Sequence, residues 1–404
     1  MSPTDTHETQ DELLGRYARS LITVFGAPQL VLDRGDGSWV WDIDGKRYLD
    51  LVGGIAVNSL GHNHPALVAA VSKQVGEMAH ISNFYTSRVQ VELAERILEI
   101  AQAPQGSGVF FANSGAEAIE AAIKLSRRTG RTGIVAAQGA FHGRTTGALA
   151  LTHKAAYREP FAPLIPDVAH VPYNDIEALR AAVTSDTAAV ILEPIQGEAG
   201  AIVADPAYLR AAREITTAAG ALLIIDEVQT GVGRTGDWFG FQTSGIVPDA
   251  ITLAKGLGGG LPIGALVTFG PDVTGLLTAG QHGSTFGGNP LVAAAGLSVL
   301  ATIESDGLLG HVQAMGEHLV AAVQALNHPD IEGVRGRGLL RAIVLRSELS
   351  AAVAAAAREA GFLVNPVAPN AIRLVPPLVV TSDELDQFVA ALPALIDTAK
   401  ESTS

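Results

Sequence analysis

The sequence predicts an α/β fold in which a large domain, with a mainly parallel sheet between helices, accompanies a smaller α+β domain. Short apolar runs alternate with amphipathic or Ala-rich stretches of helical length, which is typical of βα units. The runs are apolar on both faces, and this predicts a parallel sheet that helices cover on both sides. After about residue 305 the pattern changes to Ala-rich helices around short strands, which indicates the second domain.

Individual elements of the large domain follow from the same pattern. Helices are predicted over residues 115–128, over residues 206–219 and after Pro290. The second of these helices has Asp205 as its N-cap and Pro206 as its first residue, positions that these residue types favour. The strands that we predict for the sheet are GVFFAN, TGIVAA, AAVILEP, ALLIIDE, DAITLAK and GALVTFG.

The chain of 404 residues is long enough for one large domain and one smaller domain. We expect residues 56–304 to form the large, ligand-binding domain and residues 305–404 to form the small domain. Residues 1–55 include GSWVWDIDGKRYLDL, which reads as a small hairpin, and we expect this N-terminal segment to pack with the small domain.

Composition excludes several classes of function. The formal net charge is −14, so the surface repels phosphate backbones, and nucleic acid is not expected as a partner. Cysteine is absent from the sequence, which rules out disulfides and thiolate metal sites and suits a reducing compartment. The polar start MSPTDTHETQDELL lacks the features of a signal peptide, and apolar stretches are too short to span a bilayer. We therefore expect a soluble, cytoplasmic protein.

Two charged residues stand at the ends of predicted strands. Asp226 directly follows the apolar run of LLIIDEVQTG, and Lys255 follows the run of LAKGLGGGLPIG. A buried carboxylate is costly unless a positive group meets it, and a partly desolvated lysine loses its proton readily enough to form a Schiff base. Taken alone, Asp226 could equally be a helix cap or an ion-pair member, and Lys255 a surface lysine.

A third feature joins the first two in one ligand. The turn of FANSGAEAIEAAIKL places Ser114, Gly115 and Ala116 at the start of a helix, where free amides and the helix dipole favour a phosphate. A nucleotide site is disfavoured, because the glycine-rich GLGGG does not have the spacing of nucleotide-binding motifs. One ligand, pyridoxal phosphate, suits all three features. Its phosphate suits the Ser114 turn, its aldehyde suits Lys255, and its ring nitrogen suits Asp226.

The sequence closely resembles the class III, or ornithine-type, aminotransferases from Gly26 to Phe388. This resemblance implies a pyridoxal-phosphate-dependent transferase of fold type I, a cytoplasmic homodimer with shared active sites. The two histidines of GHNHP lack a third ligand nearby and read as a loop, so no metal site is predicted. The stretches that carry the resemblance are LVGGIAVNSLGHNHP, NSGAEA, FHGRT, EPIQGEAG, DEVQTGVGRTG, TLAKGLGGGLPIG, HGSTFGGNP, VRGRGLL and IRLVPPL.

Cofactor contacts are implied by the matching positions. Ser114 and Gly115, with Ala116 in the same turn, would hold the phosphate, while Lys255 would form the Schiff base and Asp226 would meet the ring nitrogen. The resemblance further implies that Phe141 stacks on one face of the ring, that Val228 covers the other face and that Gln229 contacts the ring hydroxyl. It also implies that Thr285, beside Ser284, reaches the phosphate or substrate of the neighbouring subunit.

Substrate contacts are implied in the same way. Arg144 of FHGRT and Arg373 of IRLVPP match the family's carboxylate-binding residues, and arginine presents a planar fork to such groups. Glu198 of EPIQGEAG is expected to act as a switch opposite Arg373. His142 is interpreted as structural and not as a base.

The expected reaction moves the δ-amino group of N2-acetylornithine to 2-oxoglutarate. Gly53 and Gly54 stand where ornithine δ-aminotransferases carry a Tyr, and small residues there would leave room for an N-acyl group. Phe25 stands where related sequences often have Tyr. The alternatives are another class III transaminase, acting on succinylornithine, ornithine, 4-aminobutyrate or succinyl-diaminopimelate, or an aminomutase of the glutamate-semialdehyde type.

Overall fold

A central sheet, described within residues 8–403 of a computed structural model, forms the middle layer of the molecule. Its strands are β4 (Gly108–Ala112), β5 (Gly133–Ala137), β6 (Val168–Val171), β7 (Thr187–Leu192), β10 (Leu222–Asp226), β11 (Ala250–Leu253) and β12 (Gly264–Thr268). The strand order is β4-β12-β11-β10-β7-β5-β6. All the strands that were predicted from apolar runs are confirmed, and β6, whose short VAHV carries a histidine, was missed.

One strand departs from the parallel arrangement. β12 runs antiparallel to both of its neighbours, β11 and β4, whereas β10 is parallel to β7 and β11. An apolar run reads the same in either direction, so the sequence pattern could not show this reversal. The sheet is therefore mainly parallel, with β12 as the antiparallel strand.

Helices cover both faces of the sheet, as the doubly apolar strands require. Leu223 and Ile225 of β10 point into one buried cluster, while Leu222 and Ile224 point into another on the opposite face. The helices are α1 (Gln10–Ser20), α2 (Gly53–Ala56), α3 (Pro65–Glu77), α4 (Arg88–Ile100), α5 (Gly115–Arg127), α6 (Thr146–Leu151), α7 (Ala155–Arg158), α8 (Ile176–Ala182), α9 (Pro206–Ala219), α10 (Pro271–Thr274), α11 (Pro290–Ser305), α12 (Leu308–Ala325), α13 (Ser350–Glu359) and α14 (Ser382–Thr403).

The predicted caps of α9 are confirmed. The Asp205 carboxylate accepts a hydrogen bond of 2.7 Å from the backbone amide of Ala207, and Pro206 occupies the first helical position. Because α9 packs against β7 and β10, the cap fixes where the chain turns back towards the sheet.

Smaller sheets flank the central one. The strands β1 (Leu32–Asp36), β2 (Trp39–Asp42), β3 (Arg47–Asp50) and β15 (Phe362–Leu363) form one of these sheets. The predicted hairpin is confirmed as β2 and β3, and β15 pairs with β3 in parallel. The other strands are β8 (Ile195–Gln196) with β9 (Ile202–Val203), and β13 (Ile331–Arg337), β14 (Leu340–Leu345), β17 (Ala371–Leu374) and β16 (Asn365–Ala368) in that sheet order.

The division into residues 1–55, 56–304 and 305–404 stays a prediction, and its first seven residues lie outside the described part of the chain. Within residues 8–403, no single helix is both long and apolar enough to cross a membrane. The pair α11 and α12 meets that criterion only together, and it bends by 69° at its break.

Candidate active site

A cavity of about 440 Å³ lies at the carboxyl ends of β7, β10 and β11. This is the edge of an open parallel sheet at which ligands bind. Its walls bring together residues from distant parts of the chain, namely Val57, Asn113, Ser114, Gly115, Ala116, Phe141, His142, Gly143, Arg144, Glu193, Glu198, Asp226, Val228, Gln229, Ala254, Lys255, Gly260, Leu261, Pro262 and Ile263.

Asp226 ends β10 and is almost fully buried in the cavity wall. Its Oδ1 accepts hydrogen bonds of 3.0 Å from the Val228 amide and from the Thr252 hydroxyl, and its Oδ2 accepts one of 2.7 Å from His142 Nδ1. Thr252 lies opposite Asp226 in the parallel register of β10 and β11. These contacts hold the carboxylate in a fixed direction at the cavity.

His142 is the charge partner of Asp226. Burial lowers the pKa of the buried imidazole, but the hydrogen bond and the charge of Asp226 more than offset this, so the net pKa is raised. Its Nε2 has no hydrogen-bond partner among residues 8–403. His142 lines the cavity beside Asp226, and its role as a structural residue and not the base stays a prediction.

Glu193 is a second buried carboxyl group on this wall. It follows β7, and its Oε1 accepts a hydrogen bond of 3.0 Å from the amide of Phe141. Burial raises the pKa of Glu193 to about 7, although the neighbouring His142 lowers it. Sequence reasoning missed Glu193, and the signal was available, because AAVILEP places a carboxylate directly after a buried run just as LLIIDE does.

Lys255 follows β11 and lines the cavity from the side of Asp226. Its backbone has a φ of 42°, a left-handed conformation that is strained for a residue with a side chain and is often found at functional sites. Burial lowers the pKa of the amine and the nearby Arg373 lowers it further, while Glu198, Asp226 and Glu193 act in the opposite direction. A larger share of the amine is therefore neutral, and hence nucleophilic, than in an exposed lysine.

The start of α5 forms a cradle of backbone amides. Ser114 is the N-cap, and its hydroxyl accepts a hydrogen bond of 3.1 Å from the Glu117 amide. The amides of Gly115 and Ala116 belong to the first turn, so they have no partner within the helix. A Cβ on Gly115 would lie 2.7 Å from a methyl group of Val228, and only glycine permits this close approach.

Arg373, on β17, is almost fully buried. Its Nη1 lies 2.5 Å from Glu198 Oε1 and donates a further hydrogen bond of 3.2 Å to Gln229 Oε1. Its Nη2 donates to the Asn365 side chain at 2.6 Å. The Nε atom has no partner within the described residues. Glu198 lines the cavity and is partly exposed, whereas the Arg373 that it pairs is almost fully buried.

Arg144 lines the same cavity and is exposed. Within residues 8–403 it forms neither a salt bridge nor a hydrogen bond, and its guanidinium stacks on the ring of Tyr157. The cavity thus has one arginine that a carboxylate already pairs and another whose N–H groups are available.

A family model described as aminotransferase class III matches residues 24–396. The chain belongs to the class III aminotransferases.

Individual relatives agree with this family. The chain is 54% identical to an acetylornithine aminotransferase of Streptomyces coelicolor, with 98% of each chain covered. It is also 54% identical to one of Mycobacterium tuberculosis, which covers 98% of this chain and 99% of the relative. Among solved structures, ornithine aminotransferase from Toxoplasma gondii ME49 superposes with a TM-score of 0.92 at 30% identity, covering 98% of this chain and 96% of that chain.

Class III aminotransferases depend on pyridoxal phosphate, and the residues of this cavity fit that cofactor. Asp226 directs a buried carboxylate to where a protonated ring nitrogen would need a partner, the amides of Gly115 and Ala116 suit a phosphate, and Lys255 supplies the amine. Bound pyridoxal phosphate supplies an electron-poor ring that accepts the electron pair left when a C–H bond next to nitrogen breaks.

The other predicted cofactor residues are placed unequally. Phe141, Val228 and Gln229 line the cavity together with Lys255. Thr285 is exposed and lines separate grooves with Ser284, whose hydroxyl accepts a hydrogen bond of 2.9 Å from Asn113. The structure therefore brings together all the predicted residues of this chain's own site. Ser284 and Thr285 lie apart from them, and the resemblance had assigned these two to the site of a neighbouring subunit.

Gly53 and Gly54 have a structural reason of their own. Gly53 has a φ of 53° and a Cβ there would lie 2.7 Å from the carbonyl oxygen of Val375, while Gly54 has a φ of 59°. From the same segment, Val57 reaches the cavity wall. The backbone requires glycine at Gly53, so Gly53 carries no separate argument for an N-acyl group.

Proposed function

We propose that this chain catalyses the acetylornithine aminotransferase reaction of arginine biosynthesis. It would move the δ-amino group of N2-acetyl-L-ornithine to 2-oxoglutarate and form N-acetylglutamate 5-semialdehyde and L-glutamate. The named relatives at 54% identity support this donor. The observation that carries the proposal is the contact of 2.5 Å between Arg373 and Glu198, which lines the cavity together with Lys255.

The paired arginine solves a problem of orientation. Acetylornithine reacts through its distal amine, so its α-carboxylate must lie away from Lys255 during the reaction. An uncovered Arg373 beside Lys255 would bind that carboxylate and hold the donor backwards. Glu198 neutralises Arg373, and the α-carboxylate then binds Arg144 at the other side of the cavity.

Glutamate and 2-oxoglutarate use the same cavity differently. They react at the α-carbon, so their α-carboxylate binds Arg373 and displaces Glu198, while the side-chain carboxylate binds Arg144. Two unit charges about 4 Å apart interact by about 4 kcal/mol at an effective dielectric constant of about 20. A competing carboxylate can replace a contact of this size, and Glu198 is exposed enough to move aside.

Proton transfer falls to Lys255. Its Nζ accepts the proton from the amine-bearing carbon of the donor as a general base and then returns a proton as a general acid. The carboxylate of Asp226 is held in place by Val228, Thr252 and His142. It would stabilise a positive charge on the ring nitrogen of the bound cofactor. Phe141 and Val228 would cover the two faces of the bound ring, and Gln229 would contact its hydroxyl group, since all three residues line the cavity.

We propose a homodimer in which each active site borrows Thr285, and with it Ser284, from the neighbouring subunit. Both residues border a groove of about 1120 Å³ that also contains Phe84, a side chain 93% exposed. A phenylalanine this exposed suits an interface better than solvent. The hydroxyl of Thr285, exposed in one chain, would then reach a phosphate in the other.

Mixing two inactive variants tests the shared site. Thr285→Ala and Lys255→Ala homodimers are each expected to be impaired, but in a hybrid dimer one site carries both defects and the other carries neither. Recovered turnover after subunit exchange supports a shared site. No recovery, despite exchange proven by mass measurement, contradicts it.

A cytoplasmic location completes the proposal. The absence of cysteine suits a reducing compartment. Cell fractionation with an antibody against the chain checks it, and recovery in an exported fraction would contradict it.

The donor is tested with a panel of amines and 2-oxoglutarate as acceptor. Acetylornithine, succinylornithine, ornithine and 4-aminobutyrate are compared by kcat/KM, with formation of glutamate as the readout. The proposal expects acetylornithine to be preferred. A preference for ornithine or 4-aminobutyrate would overturn it, and conversion that needs no 2-oxoglutarate would indicate an aminomutase.

A further inference from the structure

We propose that Tyr157 is a positioning residue that holds the guanidinium of Arg144 in the orientation in which it binds a substrate carboxylate. This inference rests on the proposed function, since it assumes that Arg144 is the carboxylate-binding residue on the exposed side of the cavity. Tyr157 belongs to α7, outside every stretch that indicated a site in the sequence.

The contact between the two side chains is a close stack. Cζ of Arg144 lies 3.4 Å from the centroid of the Tyr157 ring and 5.7 Å from that of Phe141. Arginine on an aromatic face is held by both the ring quadrupole and dispersion. Within the described residues this stack is what restrains the guanidinium, because Arg144 has no salt bridge or hydrogen bond there.

Stacking leaves the useful part of the guanidinium free. The N–H groups of arginine lie in the plane of the guanidinium, and a carboxylate accepts two of them side by side. A ring against the face of that plane does not compete for these donors, whereas a salt bridge would. An exposed arginine without the ring would also lose more rotamer freedom on binding, and such ordering weakens affinity.

The ring that supports Arg144 is itself held in place. Tyr157 meets Phe141 edge to face, with centroids 6.5 Å apart and an interplanar angle of 84°. Phe141 lines the cavity, and its amide is bonded to Glu193. Lys154 Nζ lies 4.7 Å from the centroid of the Tyr157 ring, which adds a second cation to the same ring. This series of contacts connects Glu193 in the cavity wall to Arg144 through Phe141 and Tyr157.

The hydroxyl of Tyr157 plays no part in this arrangement. It forms no hydrogen bond within residues 8–403. The ring alone is therefore needed, and Tyr157→Phe is the matched control for Tyr157→Leu, which removes the aromatic face but keeps an apolar side chain of moderate size.

The test compares two donors that differ in one carboxylate. Glutamate carries a side-chain carboxylate for Arg144, and alanine lacks it, while both present the same α-carboxylate to Arg373. In single-turnover half-reactions with the holoenzyme, Tyr157→Leu is expected to raise the apparent Kd for glutamate about tenfold, the scale of a cation–π contact. The apparent Kd for alanine and both limiting rates should stay near wild type. Tyr157→Phe should behave as wild type with both donors.

A background variant separates positioning from packing. In Arg144→Ala protein, Tyr157→Leu should add no further loss for glutamate, because the residue that it positions is absent. Equal losses with glutamate and alanine, or a full additional loss in the Arg144→Ala background, would overturn the proposal. If Tyr157→Leu does not fold, Tyr157→Gln carries the same comparison.

The outcome of the Tyr157 test does not depend on whether acetylornithine is the preferred donor. The glutamate half-reaction belongs to any transaminase that uses this acceptor pair. Failure of acetylornithine in the donor panel would therefore leave the comparison of glutamate with alanine intact, and failure of the Tyr157 comparison would leave the donor panel intact.

Discussion

Two groups of residues in the site differ in how the fold holds them. The inner wall of the cavity consists of Asp226, His142 and Lys255. The carboxylate side consists of the residues that handle the carboxylates of the substrates, namely Glu198, Arg373 and Arg144. Asp226 and Lys255 stand at the ends of neighbouring strands, β10 and β11, and their surroundings are buried. The carboxylate side gathers its residues from the loop after β5, the loop after β8 and the strand β17. Two residues of the inner wall are thus fixed by the sheet itself, and His142 joins them from the loop after β5. The carboxylate side depends on contacts between separate parts of the chain.

This difference indicates a division of work. Every donor needs the proton transfer and charge stabilisation of the inner wall, and the buried contacts of Asp226 hold those groups rigidly. Donors differ in where their carboxylates lie, and the carboxylate side contains groups that a substrate can reach, since Glu198 is partly exposed and Arg144 is exposed. Changes in the inner wall should therefore affect all donors alike, while changes on the carboxylate side should discriminate between them.

The largest effect is expected from Lys255→Ala. The chain would lose both the amine and the proton-transferring group, so turnover should fall by several orders of magnitude with every donor, while the fold remains. Steady-state kinetics and circular dichroism check this. Lys73→Ala, on the exposed surface of α3, is the control and should keep wild-type activity. A Lys255→Ala protein with normal turnover would contradict the assignment.

Asp226→Asn should give the next largest effect. A neutral amide cannot hold a positive charge on the ring nitrogen, so proton abstraction should slow by about 100-fold or more, which is typical of a lost electrostatic catalyst. Rapid-mixing single-turnover kinetics measure this step with acetylornithine and with glutamate. An unchanged rate, or slowing with one donor alone, would show that Asp226 does not act as the inner wall requires.

The neighbouring Glu227 provides a matched control with the same chemical change. Its carboxylate faces away from the cavity and accepts hydrogen bonds from the amides of Gly240 and Phe241 at 2.9 and 2.7 Å and from the Thr230 hydroxyl. Glu227→Gln should therefore leave the single-turnover rate within a few-fold of wild type. A loss as large as that of Asp226→Asn would mean that the two carboxylates do not have separate roles.

Glu227 should instead be visible in the pH dependence of stability. Burial raises its pKa to about 7 in the folded chain, against the ordinary value of 4.5 for a glutamate. The folded state then binds the proton more tightly, so this group stabilises the fold below pH 4.5, and the contribution is lost as the pH rises through about 7. Between pH 4.5 and pH 8 the midpoint of thermal unfolding should fall further for wild type than for Glu227→Gln. Equal falls would contradict the raised pKa.

Sequence reasoning reached the inner wall more completely than the carboxylate side, and the physical cause is local. Asp226 and Lys255 each interrupt an apolar run, and strand ends of a parallel sheet meet at one edge, so their proximity followed from pattern alone. Glu198 and Arg373 are separated by 175 positions, and no local pattern joins them. Their pairing was available only through the resemblance to a family.

Other features could not be read from the pattern for different reasons. The direction of β12 is invisible in a run that is apolar on both faces, and the short β6 is only partly buried. The hydrogen bond between His142 and Asp226 joins the loop after β5 to the end of β10, and the sequence shows neither the orientation of the imidazole nor its partner. Tyr157 lies in an exposed region with no chemical signature, and its contact with Arg144 required three-dimensional structure.

The half-reactions of Glu198→Ala test the central claim most directly, because this one change should separate the two donors. Without Glu198, Arg373 is uncovered and binds the α-carboxylate of acetylornithine in the wrong orientation, so that half-reaction should slow. The glutamate half-reaction, which must displace Glu198 in the wild type, should run equally fast or faster. Stopped-flow absorbance of the cofactor, recorded separately with each donor, measures both rates. Equal slowing with both donors would mean that Glu198 only supports the structure, and the division between the inner wall and the carboxylate side would be wrong.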